Sequence, residues 1–291
     1  LENGWIKRIK TLGVPLLLLM GKCDTVGSDA RLKEWQDVLG DDVIAISAVT
    51  GEGIPLLIER MAQCYGNDDN LDDITYTLAG KGDIVVLVMP QDASAPKGRL
   101  IQPQVQTLRN LLDKHCIPLC CAPEELQQLL QSLAVSPRLI ITDSQVFTQV
   151  EALTPEGTAL TSFSVLMARH KGDINVFREG AGVLRSMPSD GRVLIAEACS
   201  HIPQNEDIGR VKLPRLLRSK LGEGLVIDIV SGSDFPDDLS TYDLVIHCGA
   251  CMFNRRMVMS RVRQARAQGV PITNYGIAIA TLTGIIDRVA M

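Results

Sequence analysis

The chain has 291 residues, 46% of them hydrophobic and 22% charged, with a formal net charge of −5. This length holds two or three domains, each able to bury its own core, and the acidic balance argues against a broad nucleic-acid-binding face. No apolar run reaches the roughly 18–20 residues that span a bilayer, and no signal peptide precedes the longest, Val14–Met20. Eight cysteines without an export signal point to a cytoplasmic protein, where thiols serve metals or cores rather than disulfides. The chain opens on Leu1, which reads as a piece lacking its natural N-terminus.

In chain order, Val14–Met20 reads as a buried strand, Asp29–Leu39 as a polar helix, Val43–Ser47 as a strand and Ile54–Tyr65 as an amphipathic helix. The acidic stretch Gly66–Asp73 reads as a linker. A second unit begins with strand Asp83–Pro90 and loop Gln91–Arg99. Helix Gln102–Lys114, strand Ile117–Cys121, helix Pro123–Ala134, strand Arg138–Thr142 and helix Ser144–Ala152 follow. The third unit starts near Leu160, with Ser162–Arg169 as strand and Asn175–Met187 as helix. It continues with strand Arg192–Ala198, helix Leu213–Leu221, and strands Leu225–Ile229 and Leu244–His247. Helix Asn254–Gln268, strand Pro271–Asn274 and helix Ile277–Val289 close it. Alternating strands and helices imply an α/β fold of three successive units with mostly parallel sheets. The expected domains are 1–68, 76–155 and 160–291.

Chemistry gathers near the end of the chain, where Cys199-Ser-His201 and His247-Cys248-Gly-Ala-Cys251 each follow a strand. Ligands in open parallel sheets sit beyond the carboxyl ends of strands, so these two segments can meet at one sheet edge. Three thiolates with histidine at hand suit an iron–sulfur cluster bound by three cysteines, with one iron open to another ligand. A structural Cys₃His zinc site and a cluster that only passes electrons are the competing readings. Cys23, Cys64, Cys116, Cys120 and Cys121 read as small buried hydrophobes. Asn254 is a good helix N-cap. Arg255 and Arg256 in the first turn oppose the helix dipole, either because an anion lies nearby or because both point to solvent.

Gly21-Lys22-Cys23-Asp24, after the first strand, resembles the Asn-Lys-x-Asp loop by which small GTPases read guanine. An aspartate there accepts hydrogens from N1 and N2 that adenine does not offer. Ser47-Ala48-Val49 resembles the companion loop that contacts the guanine oxygen. Glycine stands at position 21 in place of asparagine, and no Gly-x-x-x-x-Gly-Lys-[Ser/Thr] phosphate loop occurs. The first unit therefore reads as the C-terminal part of a P-loop-type GTPase domain, and this chain is expected not to bind GTP measurably.

Taken together, these motifs resemble the HydF family, the GTPase scaffold proteins of [FeFe]-hydrogenase maturation. The likeness extends through Asp92–Ile101, Pro103–Gln106, Thr142–Phe147 and Ala168-Arg-His-Lys-Gly-Asp173. It implies a GTPase domain that uses GTP and Mg²⁺ in the full-length family, a middle dimerisation domain that makes a homodimer, and a C-terminal domain holding a [4Fe-4S] cluster. It also implies work with radical-SAM hydrogenase maturases and delivery of a di-iron precursor to apo-[FeFe]-hydrogenase. By this likeness Cys199, Cys248 and Cys251 are the thiolate ligands, with His201, His247, another side chain or cargo at the fourth position. Lys22, Asp24, Ser47 and Ala48 are the guanine-side residues.

Overall fold

The computed structural model describes residues 4–6, 9, 15–40, 42–65, 73–91, 98–198, 207–232 and 234–291. Two compact units, Leu1–Asn70 and Leu71–Met291, divide the chain. In the first, strands β1 (Leu18–Gly21) and β2 (Val43–Ile46) pair in parallel, from Leu18 opposite Val43 to Gly21 opposite Ile46. Helices α1 (Ser28–Leu39) and α2 (Ile54–Tyr65) follow them. Gly53 opens α2 with φ of 71°, and a Cβ there would lie 1.9 Å from the Ala45 carbonyl oxygen. Only glycine fits so close a return of the chain onto β2. The expected linker falls largely on residues 66–72, outside the described ones.

The second unit carries two parallel sheets. Strands β3 (Ile84–Val88), β4 (Ile117–Cys121), β5 (Leu139–Thr142) and β6 (Ala159–Ser162) run in the order β4-β3-β5-β6. Strands β7 (Arg192–Ala196), β8 (Val226–Val230), β9 (Leu244–His247) and β10 (Ile272–Asn274) run in the order β10-β9-β7-β8. Each sheet therefore starts at an inner strand, adds the second on one side, and crosses over to add the third and fourth on the other. A switch point results between β3 and β5, and another between β7 and β9. The helices are α3 (Gln102–Asp113), α4 (Leu126–Ser132), α5 (Phe147–Leu153), α6 (Phe163–Lys171), α7 (Ile174–Gly182), α8 (Leu213–Leu221), α9 (Arg255–Ala267) and α10 (Tyr275–Leu282).

Two expectations are corrected. Ser162–Arg169 is not a strand; the strand ends at Ser162, whose side chain accepts the Val165 N–H and starts α6. Phe163, Leu166 and Met167 of this helix enter one core cluster, and Val165 and Ala168 the other. A helix buried on both sides shows no polar stripe, so its apolar run looks like that of a buried strand. Strand β6 pairs with β5 from Ala159 opposite Leu139 to Ser162 opposite Thr142. Helix Ile277–Val289 is also shortened: α10 ends at Leu282, before Gly284 with φ of 78°. The chain then returns to the second sheet, where Ala290 N–H donates to Leu160 O at 2.7 Å.

Strands covered on both faces explain the continuous apolar runs. Val86, Val88 and Ile140 share one cluster with Val193–Ala196 and Leu244–Ile246, whereas Val85, Leu87, Leu139 and Ile141 pack with Leu111, Phe163 and Met167. One core thus runs through both sheets of the second unit.

Candidate metal centre

Strand β9 ends in His247 and continues into the turn Cys248-Gly-Ala-Cys251, beside the end of β7 at the switch point. The two strand ends already touch. Cys248 N–H donates to Ala196 O at 3.0 Å, and Ala198 N–H donates to the Cys248 sulfur at 3.0 Å. Ala250 N–H points at the same sulfur from 3.4 Å. Cys199 follows Ala198 directly; Cys199 and His201 lie outside the described residues. Among the described residues no group of three His, Cys, Asp or Glu side chains stands close enough to hold a metal ion.

Cys248 and Cys251 are both half-buried and free of disulfides. Burial pushes the Cys248 thiol up to about 11, partly opposed by the N–H groups of Ala250 and Ala198. The metal-free site therefore holds a neutral thiol at pH 7, and a bound metal must displace its proton. Amide hydrogens aimed at a sulfur stabilise the thiolate once it forms. Soft sulfur donors, one of them met by two N–H groups, fit an iron–sulfur cluster.

His247 is 1% exposed. Its Nδ1 lies 2.8 Å from Cys248 O, and its Nε2 lies 3.0 Å from Nη1 of Arg261. A carbonyl only accepts and a guanidinium only donates, so Nδ1 carries the proton and Nε2 accepts. Both nitrogens are thereby engaged, and burial lowers the ring's pKa to about 4. As a candidate for the fourth ligand position, His247 is thus found with its lone pair turned to Arg261. Arg261 itself is held between the rings of Phe235 (4.6 Å) and Phe253 (4.7 Å) and reaches the Gly232 carbonyl.

Three charged residues at the site escaped the sequence reading. Glu197, 4% exposed, accepts from Ser231 Oγ and from Arg210, with an ion pair of 3.0 Å. Arg261 interrupts the apolar stripe Val258–Val262–Ala265 of α9, a charge on a buried face that spacing alone could have flagged. Lys171, at the end of α6, donates to Ala250 O at 2.8 Å and Cys251 O at 3.3 Å. Asn254 caps α9 by accepting the Met257 N–H at 3.0 Å. Arg255 is half-buried, and its Nη1 donates to the His170 and Gly172 carbonyls at the end of α6. Arg256 is exposed.

In the first unit, Lys22 and Asp24 follow β1 and are exposed, with Lys22 at φ of 61°. Ser47 follows β2, is fully buried, and accepts the N–H groups of Val49 (3.2 Å) and Thr50 (3.1 Å); Ala48 beside it is exposed. Cys23 N–H donates to Ile46 O at 3.1 Å, so the two loops lie side by side at neighbouring strand ends. Of the cysteines expected in the core, Cys116 is buried but Cys120 is exposed, because β4 is an edge strand.

These features define an α/β protein whose second unit ends an inner strand in a thiol-bearing turn at a topological switch point. Residues 74–172 match the family model for the Hydrogen maturase F dimerization domain, and residues 175–291 match that for the Hydrogen maturase F tetramerization domain. The chain belongs to the hydrogen maturase F (HydF) family. It is also similar to the tRNA modification GTPase MnmE of Hamiltonella defensa subsp. Acyrthosiphon pisum (strain 5AT), 35% identical over 68 residues. That match takes in 23% of this chain and 14% of that relative, well under two thirds of its length. Likeness to a GTPase fits the first unit as part of a P-loop-type domain.

Proposed function

We propose that this chain is a scaffold of [FeFe]-hydrogenase maturation. It binds a [4Fe-4S] cluster through Cys199, Cys248 and Cys251, carries a di-iron precursor and hands it to apo-[FeFe]-hydrogenase. The supporting observation is the contact between strand ends: Ala198 N–H meets the Cys248 sulfur at 3.0 Å, one residue before Cys199. With three thiolates from one switch point, such a cluster supplies an iron open to exchange. The residues' own tasks are to aim the sulfurs, donate amide hydrogens to them, and keep the site partly dry. His247 serves as a prop, because Arg261 holds its ring nitrogen. The fourth position then falls to His201, another side chain or the cargo.

Partners under this reading are the radical-SAM maturases and the apo-hydrogenase. The two matched domains are described by self-association, which supports a homodimer or larger assembly of this chain. Lys22, Asp24, Ser47 and Ala48 are the guanine-side residues under this reading, with GTP and Mg²⁺ as the nucleotide and metal that the family likeness implies. Among the described residues no helix is long and apolar enough to cross a membrane.

Anaerobic loading of Cys199→Ser and Cys248→Ser with iron and sulfide tests the ligand set. Each variant is expected to keep its far-UV circular dichroism and to retain under a tenth of the iron held by the parent chain. A variant with full iron content would refute the assignment.

A further inference from the structure

Lys171 is 9% exposed, and buried lysines are rare unless a charge partner is present. Among the described residues no carboxylate pairs with it. Burial pulls its pKa below the ordinary lysine value, and the groups of potential negative charge that oppose this are the thiols of Cys251 and Cys248. Its two hydrogen bonds end on Ala250 O and Cys251 O, inside the turn that joins those cysteines. That turn is strained, since Ala250 takes a φ of 53°, a left-handed conformation that disfavours any residue with a Cβ. Such a conformation persists only where the surroundings over-determine it. Phe253 N–H donates to the same carbonyl of Ala250 at 3.1 Å.

Lys171 also comes from a different segment than the cysteines it serves. It ends α6, within residues 74–172 matched by the dimerization domain, whereas the thiol turn lies within the tetramerization domain. Arg255 crosses the same seam in the opposite direction, to His170 O and Gly172 O. We propose that Lys171 is a positioning residue: it locks the Cys248–Cys251 turn and sets a cation beside the two sulfurs, so that the site is assembled from both segments. The locking half stands on contacts within the metal-free chain, and the cation half rests on the cluster reading above.

Lys171→Met and Lys171→Gln, each made in this 291-residue chain, separate the two halves, since glutamine keeps a donor and drops the charge. In the metal-free chain, hydrogen–deuterium exchange across residues 248–254 should rise at least about tenfold in Lys171→Met, which loses both hydrogen bonds of a charged donor. Exchange across β7 and β9 should stay at the parent level, and Lys171→Gln should recover part of the protection. After loading with iron and sulfide, both variants should be harder to reduce. The expected shift is about tenfold in the reduction equilibrium, or about 59 mV for a one-electron couple.

Unchanged exchange in the turn, or exchange that rises equally across the whole second unit, would overturn the locking role. An unchanged potential in Lys171→Gln would overturn the cation, and that variant carries the comparison if Lys171→Met does not fold. A parent chain that takes up no iron sinks the cluster reading and the cation with it, while the exchange comparison still decides the lock.

Discussion

At the scale of single residues, the site balances burial against hydrogen bonding. His247 is neutral because burial opposes its charge and because Arg261 donates to its Nε2. The ring's folded pKa of about 4 lies below the ordinary value of 6.5, so the unfolded chain binds the proton more readily. The resulting stability is present in full above pH 6.5 and is lost as pH falls toward 4. For the metal-free chain that loss amounts to on the order of 3 kcal/mol. Denaturant titrations between pH 7 and pH 4 should show it, and His247→Gln should flatten the slope in that window. A parent and a variant with the same slope would place the proton uptake elsewhere.

At the scale of elements, close backbone contacts fix how helices meet strands. Gly180 of α7 lies against β10, and a Cβ there would come within 2.1 Å of Ile272 O. Backbone cannot yield as a flexible side chain does, so Gly180→Ala should destabilise the second unit by about 2–3 kcal/mol, read as a lowered midpoint in denaturant. A loss below about 0.5 kcal/mol would mean that α7 can move off the sheet freely. Most elements were legible because their apolar runs and breakers are local: Ile117–Cys121, Ile54–Tyr65 and Leu213–Leu221 follow from sequence with the same bounds. Helix α6 was not, since its two apolar faces meet two cores and erase the period that marks a helix. The short β6 was missed with it. The cysteine turn was legible from strand-end spacing, yet Lys171, Glu197 and Arg261 were not read as parts of the site. Lys171 is about 80 residues from the turn it holds, as its contact at a separation of 79 shows, and only the tertiary fold brings them together.

At the scale of the whole molecule, the cores divide the chain unevenly. Residues of both sheets in the second unit share one cluster, so Leu71–Met291 should unfold as one cooperative body although two family domains match it. Leu1–Asn70 forms its own compact unit, and it contains both tryptophans, Trp5 and Trp35. Tryptophan fluorescence should therefore report the first unit alone, and far-UV circular dichroism mainly the second. Non-coincident melting curves are expected; coincident curves would mean that the two units unfold together.

The central claim is that this switch point holds an iron–sulfur cluster with an exchangeable position. Its most direct test is oxygen-free reconstitution with iron and sulfide, followed by metal analysis and EPR spectra with and without added imidazole. The account predicts about four irons per chain, as a [4Fe-4S] cluster requires, and a signal that shifts when imidazole enters the open position. Zinc alone, or no iron uptake, would contradict it, and an iron signal indifferent to imidazole would point instead to a closed electron-transfer centre.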